Sequence, residues 1–221
     1  MPKLGMEPIR KAALVKAAID EIGEAGTLDV TVGQIARRAG MSSALAHHYF
    51  GGKEALFLAA MRHVLTLYGI EVRAALRGLD DPEARLSALL RASFSGTHFR
   101  REAISAWLTF WVLAQTVPEA ARLLHVYQRR LNSNLVACLR PLVGARAPQA
   151  AAMAGALIDG VYLRAVLGRD RPDGATAAAL VARAIADFRA GGAGPCWGRR
   201  LRQVSGASAV RPLTRPAAPS M

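Results

Sequence analysis

The chain has 221 residues, 52% hydrophobic and 20% charged, so it can bury a core and is not a disordered polymer. Its formal charge of +13 favours an anionic partner, either nucleic acid or a membrane surface. Residues 1–68 carry only +2 of that charge, while residues 191–221 carry five arginines and no acidic residue. Charge alone therefore does not mark the first third of the chain as the binding region.

Motifs for metal, cofactor or membrane binding are missing from the sequence. Cys138 and Cys196 have no CxxC or histidine-rich neighbourhood, so neither a disulfide framework nor a zinc site is expected. The longest apolar stretch, at 103–117, has 15 residues, fewer than a spanning helix needs. We expect a soluble cytoplasmic protein with no metal, no cofactor and no membrane partner.

Apolar residues recur every three or four positions along most of the chain, which predicts an all-α fold. The first helix is expected to end near Gly26. A second, short helix begins after Thr31, with Gln34 placed three residues on as in a capping box. Ser42 caps a third short helix that reaches Phe50 before two glycines.

The rest of the chain is predicted to form longer helices, followed by a tail. The predicted helices are 53–77, 82–93, 102–116, 118–140, 148–168 and 174–190. Residues 191–221 mix Gly, Pro, Ser and Arg without period, which predicts a disordered basic tail.

The second and third predicted helices, joined by the turn AGMS, have the outline of a helix-turn-helix. In that motif the outer face of the second helix sits in the major groove of DNA, and its inner face packs on the core. Met41, Ala46 and Phe50 suit the inner face. The residues left to face a groove are Ser43, Ala44, Leu45 and His47. A helical hairpin inside a bundle has the same outline, so the pattern alone leaves DNA binding open.

The segment TVGQIARRAGMSSALAHHYFGGKEAL, at 31–56, resembles the DNA-binding motif of TetR-family repressors. The shared features are the opening threonine, "IA..AG.S", "YF" and "K..L", and the resemblance covers roughly residues 8–68. It implies a helix-turn-helix DNA-binding domain at 1–68 on a ligand-binding and dimerisation domain at 69–190. It also implies a homodimer that binds a palindromic operator.

The same resemblance assigns roles to individual residues by position. Thr31, Tyr49 and Lys53 match phosphate contacts of the family. The groove-facing matches are Ser43, Leu45, His47 and His48. Ala44 departs from the family pattern, in which Gly or Pro is commoner at this position.

Three further pieces resemble the choline-responsive subfamily of these repressors, which controls genes for glycine betaine synthesis. They are "AWL.FW" at 106–111, "RRL.SNLV" at 129–136 and "ALIDG..LRA.L" at 156–167, and the opening "MPKLGM..IR" at 1–10 shares the resemblance. Aromatic faces with a carboxylate nearby suit a quaternary ammonium. The candidates for such a site are Trp107, Phe110, Trp111, Tyr127, Asp159 and Tyr162.

The same residues also suit purely structural roles, and the sequence does not decide between the two. Aromatic residues at helical spacing are commonly core, and Asp159 also suits a dimer interface beside Gly155 and Gly160. His98 lies in a loop-like segment, so we expect an exposed histidine without a role. The broad apolar faces at 148–168 and 174–190 predict a four-helix dimer interface.

The sequence therefore predicts a repressor released from its operator by choline or a related quaternary ammonium. One alternative is a regulator of the same fold that senses another hydrophobic or cationic ligand, of the multidrug or fatty-acid type. A second is an enzyme, although the sequence has no nucleophile elbow, phosphate loop or HExxH. A third is a non-specific nucleoid or membrane-surface protein whose binding depends on the arginine tail.

Overall fold

The computed structural model describes residues 5–168 and 171–191, and within them it is helical and without strands, as predicted. The first four helices are α1 (Met6–Ala25), α2 (Val32–Arg38), α3 (Ser43–Phe50) and α4 (Lys53–Leu76). The remaining helices are α5 (Pro82–Ser93), α6 (Arg101–Leu113), α7 (Pro118–Val143), α8 (Ala147–Leu167) and α9 (Gly174–Ala190). Apart from Gly191, the predicted basic tail lies outside the described residues.

Capping side chains fix the starts of the two shortest helices, α2 with 7 residues and α3 with 8. Thr31 Oγ1 accepts a hydrogen bond from the Gln34 backbone N–H at 3.1 Å, and Gln34 Oε1 accepts one from the Thr31 N–H at 2.7 Å. Ser42 Oγ accepts from the Leu45 N–H at 3.3 Å. Each cap contributes about 1 kcal/mol, and both predicted caps are confirmed.

Packing on one side completes the stability of α3. Ala46 is buried, and Met41 and Phe50 are half-buried against the same core, which confirms the predicted inner face. Arg38 at the end of α2 forms ion pairs with Glu21 and Glu24 of α1. The helix pair α2–α3 is therefore fastened to α1 by both apolar and ionic contacts.

The start of α6 packs tightly against the end of α1. A Cβ atom added to Gly23 would lie 2.1 Å from the carbonyl oxygen of Glu102, so only glycine permits this approach. Beside it, Arg100 Nη2 lies 2.6 Å from Asp20 Oδ1, and Arg100 Nη1 lies 3.0 Å from Glu102 Oε2. This α1–α6 junction connects the helix-turn-helix part to the rest of the chain.

The predicted domain boundary at residue 68 falls inside α4. Residues up to Arg189 pack as one compact unit, and α4 contributes Leu56 and Phe57 near its start and Val72 near its end to one continuous core. The division into 1–68 and 69–190 stays a prediction about function, since no linker separates the two parts at this point.

Two helical stretches of the described chain have the length and hydropathy of a membrane-spanning helix, α4 and the stretch 118–167. The sequence-based expectation of no membrane-spanning helix rests on the length of uninterrupted apolar runs. That criterion does not detect either stretch. In α4, 44% of the apolar window is buried inside the protein, and in the stretch 118–167 the buried share is 28%. On α8 the exposed apolar residues include Leu163 and Leu167, the surface predicted to form a dimer.

The α1–α6 junction generates a stability prediction. We expect Gly23→Ala to lower the free energy of unfolding by roughly 2 kcal/mol, because the added methyl overlaps a backbone carbonyl. Thermal unfolding followed by circular dichroism should show the Tm falling by roughly 4–8 °C. The matched control is Gly33→Ala, also in a helix, where the nearest atom to the new Cβ is 3.7 Å away. Equal Tm values for the two variants would contradict the proposed overlap.

Candidate functional site

The outward side of α3 is open to solvent and unobstructed. Ser43, Ala44, His47 and His48 are exposed, and Leu45 is half-buried. The sequence predicts that all five face a DNA groove or its edge. The structure thus brings the groove-facing residues together on one side of one short helix.

The His47 ring is held by the end of its own helix. Its Nδ1 lies 2.9 Å from the Gly51 carbonyl oxygen. A carbonyl only accepts hydrogen bonds, so this geometry assigns the proton to Nδ1. In the neutral ring Nε2 is then the free nitrogen, and it is an acceptor. A base edge that presents an amino group suits such an acceptor.

Of the three predicted phosphate contacts, Lys53 has a structural bond that the sequence does not reveal. Its Nζ donates to the Leu28 carbonyl at 2.9 Å and so ties the loop before α2 to the start of α4. An ammonium has three donors, so two remain for a phosphate. The Thr31 hydroxyl caps α2 and is exposed.

Tyr49, the third predicted phosphate contact, is half-buried at the end of α3. Lys11 Nζ lies 5.5 Å from the centroid of its ring, within cation–π range. Lys11 also pairs with Glu7 at 2.7 Å. Sequence reasoning gives Lys11 no part in this surface, because only the fold brings α1 beside the end of α3.

Four aromatic rings from three helices form a second feature, which we name the aromatic cluster: Tyr68, Trp107, Trp111 and Tyr127. The centroid of Trp107 lies 4.9 Å from that of Tyr127 and 6.5 Å from that of Trp111. Tyr68 lies 5.7 Å from Tyr127. Trp107, Trp111 and Tyr127 are predicted ligand residues, and the structure brings them together.

The two other predicted aromatic residues lie apart from this cluster's centre. Phe110 is fully buried, 5.8 Å from Trp107 and 6.4 Å from Phe57, in the position of a core residue. Tyr162 packs on Phe99 at 5.1 Å, and its hydroxyl donates to the Ser93 carbonyl at 2.7 Å. Both are thus held by protein contacts.

Asp159 lies half-buried on α8 and lines a cavity of about 200 Å³ together with Leu131, Leu135 and Gly155. Burial raises the pKa of its carboxyl group to about 6. Within the described part of the chain no lysine or arginine lies within salt-bridge distance of it. Burial is the main cause that raises the pKa values of Tyr127 and Tyr162, followed by the neighbouring Tyr68, while the charge of Asp159 makes a smaller contribution.

His98 is predicted from the sequence to be exposed, and that prediction is wrong. Its side chain is buried, edge-on to Tyr68 with a centroid distance of 5.9 Å. Its Nε2 lies 3.2 Å from Glu71 Oε2, although the N–H is not aligned for a hydrogen bond. Ser95 Oγ donates to the same oxygen at 2.9 Å. Burial lowers the pKa of His98, and the Glu71 charge opposes part of that effect.

Sequence reasoning also misses Tyr68, whose hydroxyl lies 3.1 Å from Ser93 Oγ. A signal is present, because Ala60, Val64 and Tyr68 follow one another at intervals of four along one face of α4.

Among the described residues, no group of three His, Cys, Asp or Glu side chains is arranged to hold a metal ion.

A capped helix-turn-helix joined through α6 to a buried aromatic cluster defines a DNA-binding regulator with an effector region. Comparison with known proteins agrees. Residues 14–60 match the family model of bacterial regulatory proteins of the tetR family, and residues 82–190 match the C-terminal model of BetI-type transcriptional repressors. The chain belongs to the TetR family and is a transcriptional repressor of the BetI type. Members of this family regulate transcription and are not enzymes; they bind operator DNA and a small-molecule effector.

A curated relative and two solved structures illustrate the similarity. The HTH-type transcriptional regulator BetI of Brucella melitensis biotype 2 is 54% identical over 187 residues, covering 84% of this chain and 94% of the relative. A candidate transcriptional regulator from Pseudomonas aeruginosa PAO1 is 26% identical with a TM-score of 0.71, covering 86% and 94%. Another from Saccharomonospora viridis, crystallised in complex with choline, is 21% identical with a TM-score of 0.69, covering 80% and 95%.

The raised pKa of Asp159 generates a prediction for stability against pH. The folded pKa of about 6 exceeds the ordinary 3.8, so folding favours the protonated carboxyl group. The resulting contribution to the free energy of unfolding is fully present below pH 3.8 and is lost as pH rises through 6. Asp159→Asn should therefore stabilise the protein by roughly 2 kcal/mol at pH 7.5, and by much less at pH 4. Urea denaturation at both pH values measures the difference.

The control is Asp80→Asn, which changes a carboxylate that is not buried in the core. As a substitution at the surface, it should change the free energy of unfolding by no more than about 0.5 kcal/mol. The burial argument fails if Asp159→Asn changes the free energy of unfolding equally at pH 4 and pH 7.5.

Proposed function

We propose that this protein is a cytoplasmic, homodimeric repressor of choline uptake and glycine betaine biosynthesis genes, released from its operator by choline or a related quaternary ammonium. The observation that carries the proposal is the aromatic cluster, together with the unpaired Asp159 carboxylate on α8, whose charge contributes to the raised pKa of Tyr127. The BetI-type family match supports it, and so does the choline complex of the Saccharomonospora viridis regulator.

A quaternary ammonium has a fixed charge and no proton to donate, so aromatic faces and carboxylates are the groups that recognise it. In our proposal the effector residues are those of the sequence prediction, with Tyr68 added. Trp107, Trp111 and Tyr127 offer ring faces, Phe110 packs against Trp107, and Tyr162 remains an effector candidate of the sequence prediction. Asp159 provides the negative charge, and a bound cation lowers its pKa toward the ordinary range.

The distance between Trp107 and Tyr127 bears on the mechanism of release. Rings 4.9 Å apart leave no room for a trimethylammonium group between them, since a cation held by two facing rings needs a separation on the order of 8 Å. Ligand entry between these rings thus separates α6 from α7. Because α6 begins at the α1–α6 junction, its movement reaches α1 and the helix-turn-helix. By linkage, such an effector binds the operator-bound form less tightly.

Two copies of the chain would supply two recognition helices. We propose that α8 and α9 form the dimer interface, because both carry exposed apolar residues, Leu167 on α8 and Leu180 on α9. A two-fold interface of four helices is a common closed solution, and it matches a palindromic operator. On DNA, the groove-facing residues of α3 read base edges, while Thr31, Tyr49 and Lys53 contact phosphates.

The DNA-contact proposal predicts different effects for two substitutions. His47→Ala should weaken binding to operator DNA about tenfold and binding to scrambled DNA little, because it removes a base contact. Lys53→Ala should weaken binding to both DNAs and reduce the salt slope by about one, because it removes a phosphate contact. Fluorescence anisotropy at several salt concentrations measures both quantities.

The control is His125→Ala, an exposed histidine on α7. Circular dichroism of Lys53→Ala is needed as well, because that variant also loses the bond to Leu28. Equal losses on both DNAs for His47→Ala would contradict base reading.

The effector proposal predicts a pH-dependent response to choline. Choline should quench or enhance tryptophan fluorescence and release operator DNA, with an affinity that falls about tenfold per pH unit below pH 6 as Asp159 is protonated. Asp159→Asn should bind choline weakly at every pH, whereas Asp80→Asn should behave like the unaltered protein. No response to millimolar choline in either assay rules the proposal out. A ligand response that survives Trp107→Ala with Trp111→Ala favours the multidrug or fatty-acid alternative.

A further inference from the structure

A groove of about 540 Å³ runs between α4 and α7 and reaches the aromatic cluster from outside. Tyr68 and Tyr127 form part of its wall, and apolar side chains such as Val72 and Leu123 line its sides. Two cluster residues therefore line the groove, whereas Trp107 and Trp111 do not. Its volume exceeds what a molecule as small as choline fills.

Three arginines also line this groove: Arg62 and Arg73 from α4, and Arg130 from α7. All three are exposed, and no aspartate or glutamate is among the lining residues. Within the described part of the chain, none of the three has an acidic partner within 4.0 Å. Arg38 and Arg100, by contrast, each pair with two carboxylates. The groove therefore has a positive charge that the described residues leave uncompensated.

Two of these arginines share a helix with a tyrosine that lines the same groove. A Cβ atom added to Gly69 would lie 3.3 Å from Arg73 Nη1, so the Arg73 guanidinium folds back over Gly69, the neighbour of Tyr68. On the facing helix, Arg130 follows Tyr127 by three residues, about 4.5 Å along the axis. Each wall of the groove therefore carries one tyrosine and one arginine, five residues apart on α4 and three residues apart on α7.

This arrangement discriminates among ligands by charge. A simple cation that enters the groove gains the tyrosine faces but is repelled by the arginines. A simple anion gains the guanidinium groups and leaves the ring faces unused. A molecule with both charges gains both contacts, because guanidinium groups bind phosphate and carboxylate through paired hydrogen bonds.

We propose that the groove between α4 and α7 selects a zwitterionic effector, a quaternary ammonium compound that also carries a phosphate or carboxylate group. The ammonium group lies against Tyr68 and Tyr127, and the anionic group lies between Arg73 and Arg130. This inference rests on the proposed function and specifies the class of effector that binds on the groove side of the aromatic cluster.

The test compares phosphocholine with choline on the full-length protein by isothermal titration calorimetry at pH 7.5 and low salt. Phosphocholine is expected to bind at least about tenfold more tightly than choline, because paired hydrogen bonds to guanidinium add to the ring contacts. Arg73→Gln and Arg130→Gln should each remove most of that advantage, while choline binds these variants as well or slightly better because repulsion is reduced. The matched control is Arg129→Gln, which changes an exposed arginine next to Arg130 that does not line the groove.

The remaining outcomes of the titrations separate this inference from the proposed function. Phosphocholine that binds no more tightly than choline, while choline still releases operator DNA, overturns this inference and leaves the proposed function standing. Inorganic phosphate that binds as tightly as phosphocholine shows an anion site alone and also overturns it. If neither choline nor phosphocholine binds, the proposed function fails as well. Phosphatidylcholine vesicles should not bind in a flotation assay; vesicle binding without free phosphocholine binding would replace the soluble effector by a lipid headgroup.

Discussion

The contact between Gly23 of α1 and Glu102 of α6 is the constraint on which the rest of the arrangement depends. Two helix backbones approach so closely there that no side chain fits between them, and Arg100 bridges Asp20 and Glu102 beside it. Helix α3, the second helix of the helix-turn-helix, is too short to be stable alone, and it is positioned through α1. The rings that would sense an effector lie on α6. In our proposal the effector region and the helix-turn-helix are therefore coupled at this junction, in addition to α4, which spans both parts.

The position of charge matters more in this protein than its sum. A net charge of +13 points to nucleic acid, yet the helix-turn-helix region holds little of it. In the described part of the chain, ion pairs neutralise several arginines at helix contacts, such as Arg38 and Arg100. Among the same residues, the arginines where α4 faces α7 stay without an acidic partner. The sequence shows no cluster of these arginines, but the packing of α4 against α7 brings their positive charges into one groove.

The candidate site can be predicted in part. Trp107 and Trp111 lie four residues apart, so their shared face follows from helical geometry, and the fold adds Tyr127 to them. Asp159 stands out as a carboxylate in an apolar helix, and burial raises its pKa to about 6 as that position suggests. Phe110 and Tyr162 are grouped with them by type, but their neighbours are core residues and the Ser93 carbonyl. The spacing of residues along a helix shows which of them share a face, but it does not show which other helices pack against that face.

The sequence by itself determined the helices, because periodicity, the Thr31 and Ser42 caps and the glycine breaks are local signals that act within a few residues. It also carried enough motif to indicate a TetR-family repressor. Only the tertiary structure decided that His98 is buried beside Tyr68, that Lys53 bonds to Leu28, and that Arg73 and Arg130 line one groove with two rings of the aromatic cluster. The reason is physical. These contacts depend on which helix packs against which, and that choice is made by burying the whole set of apolar faces together rather than by any one segment.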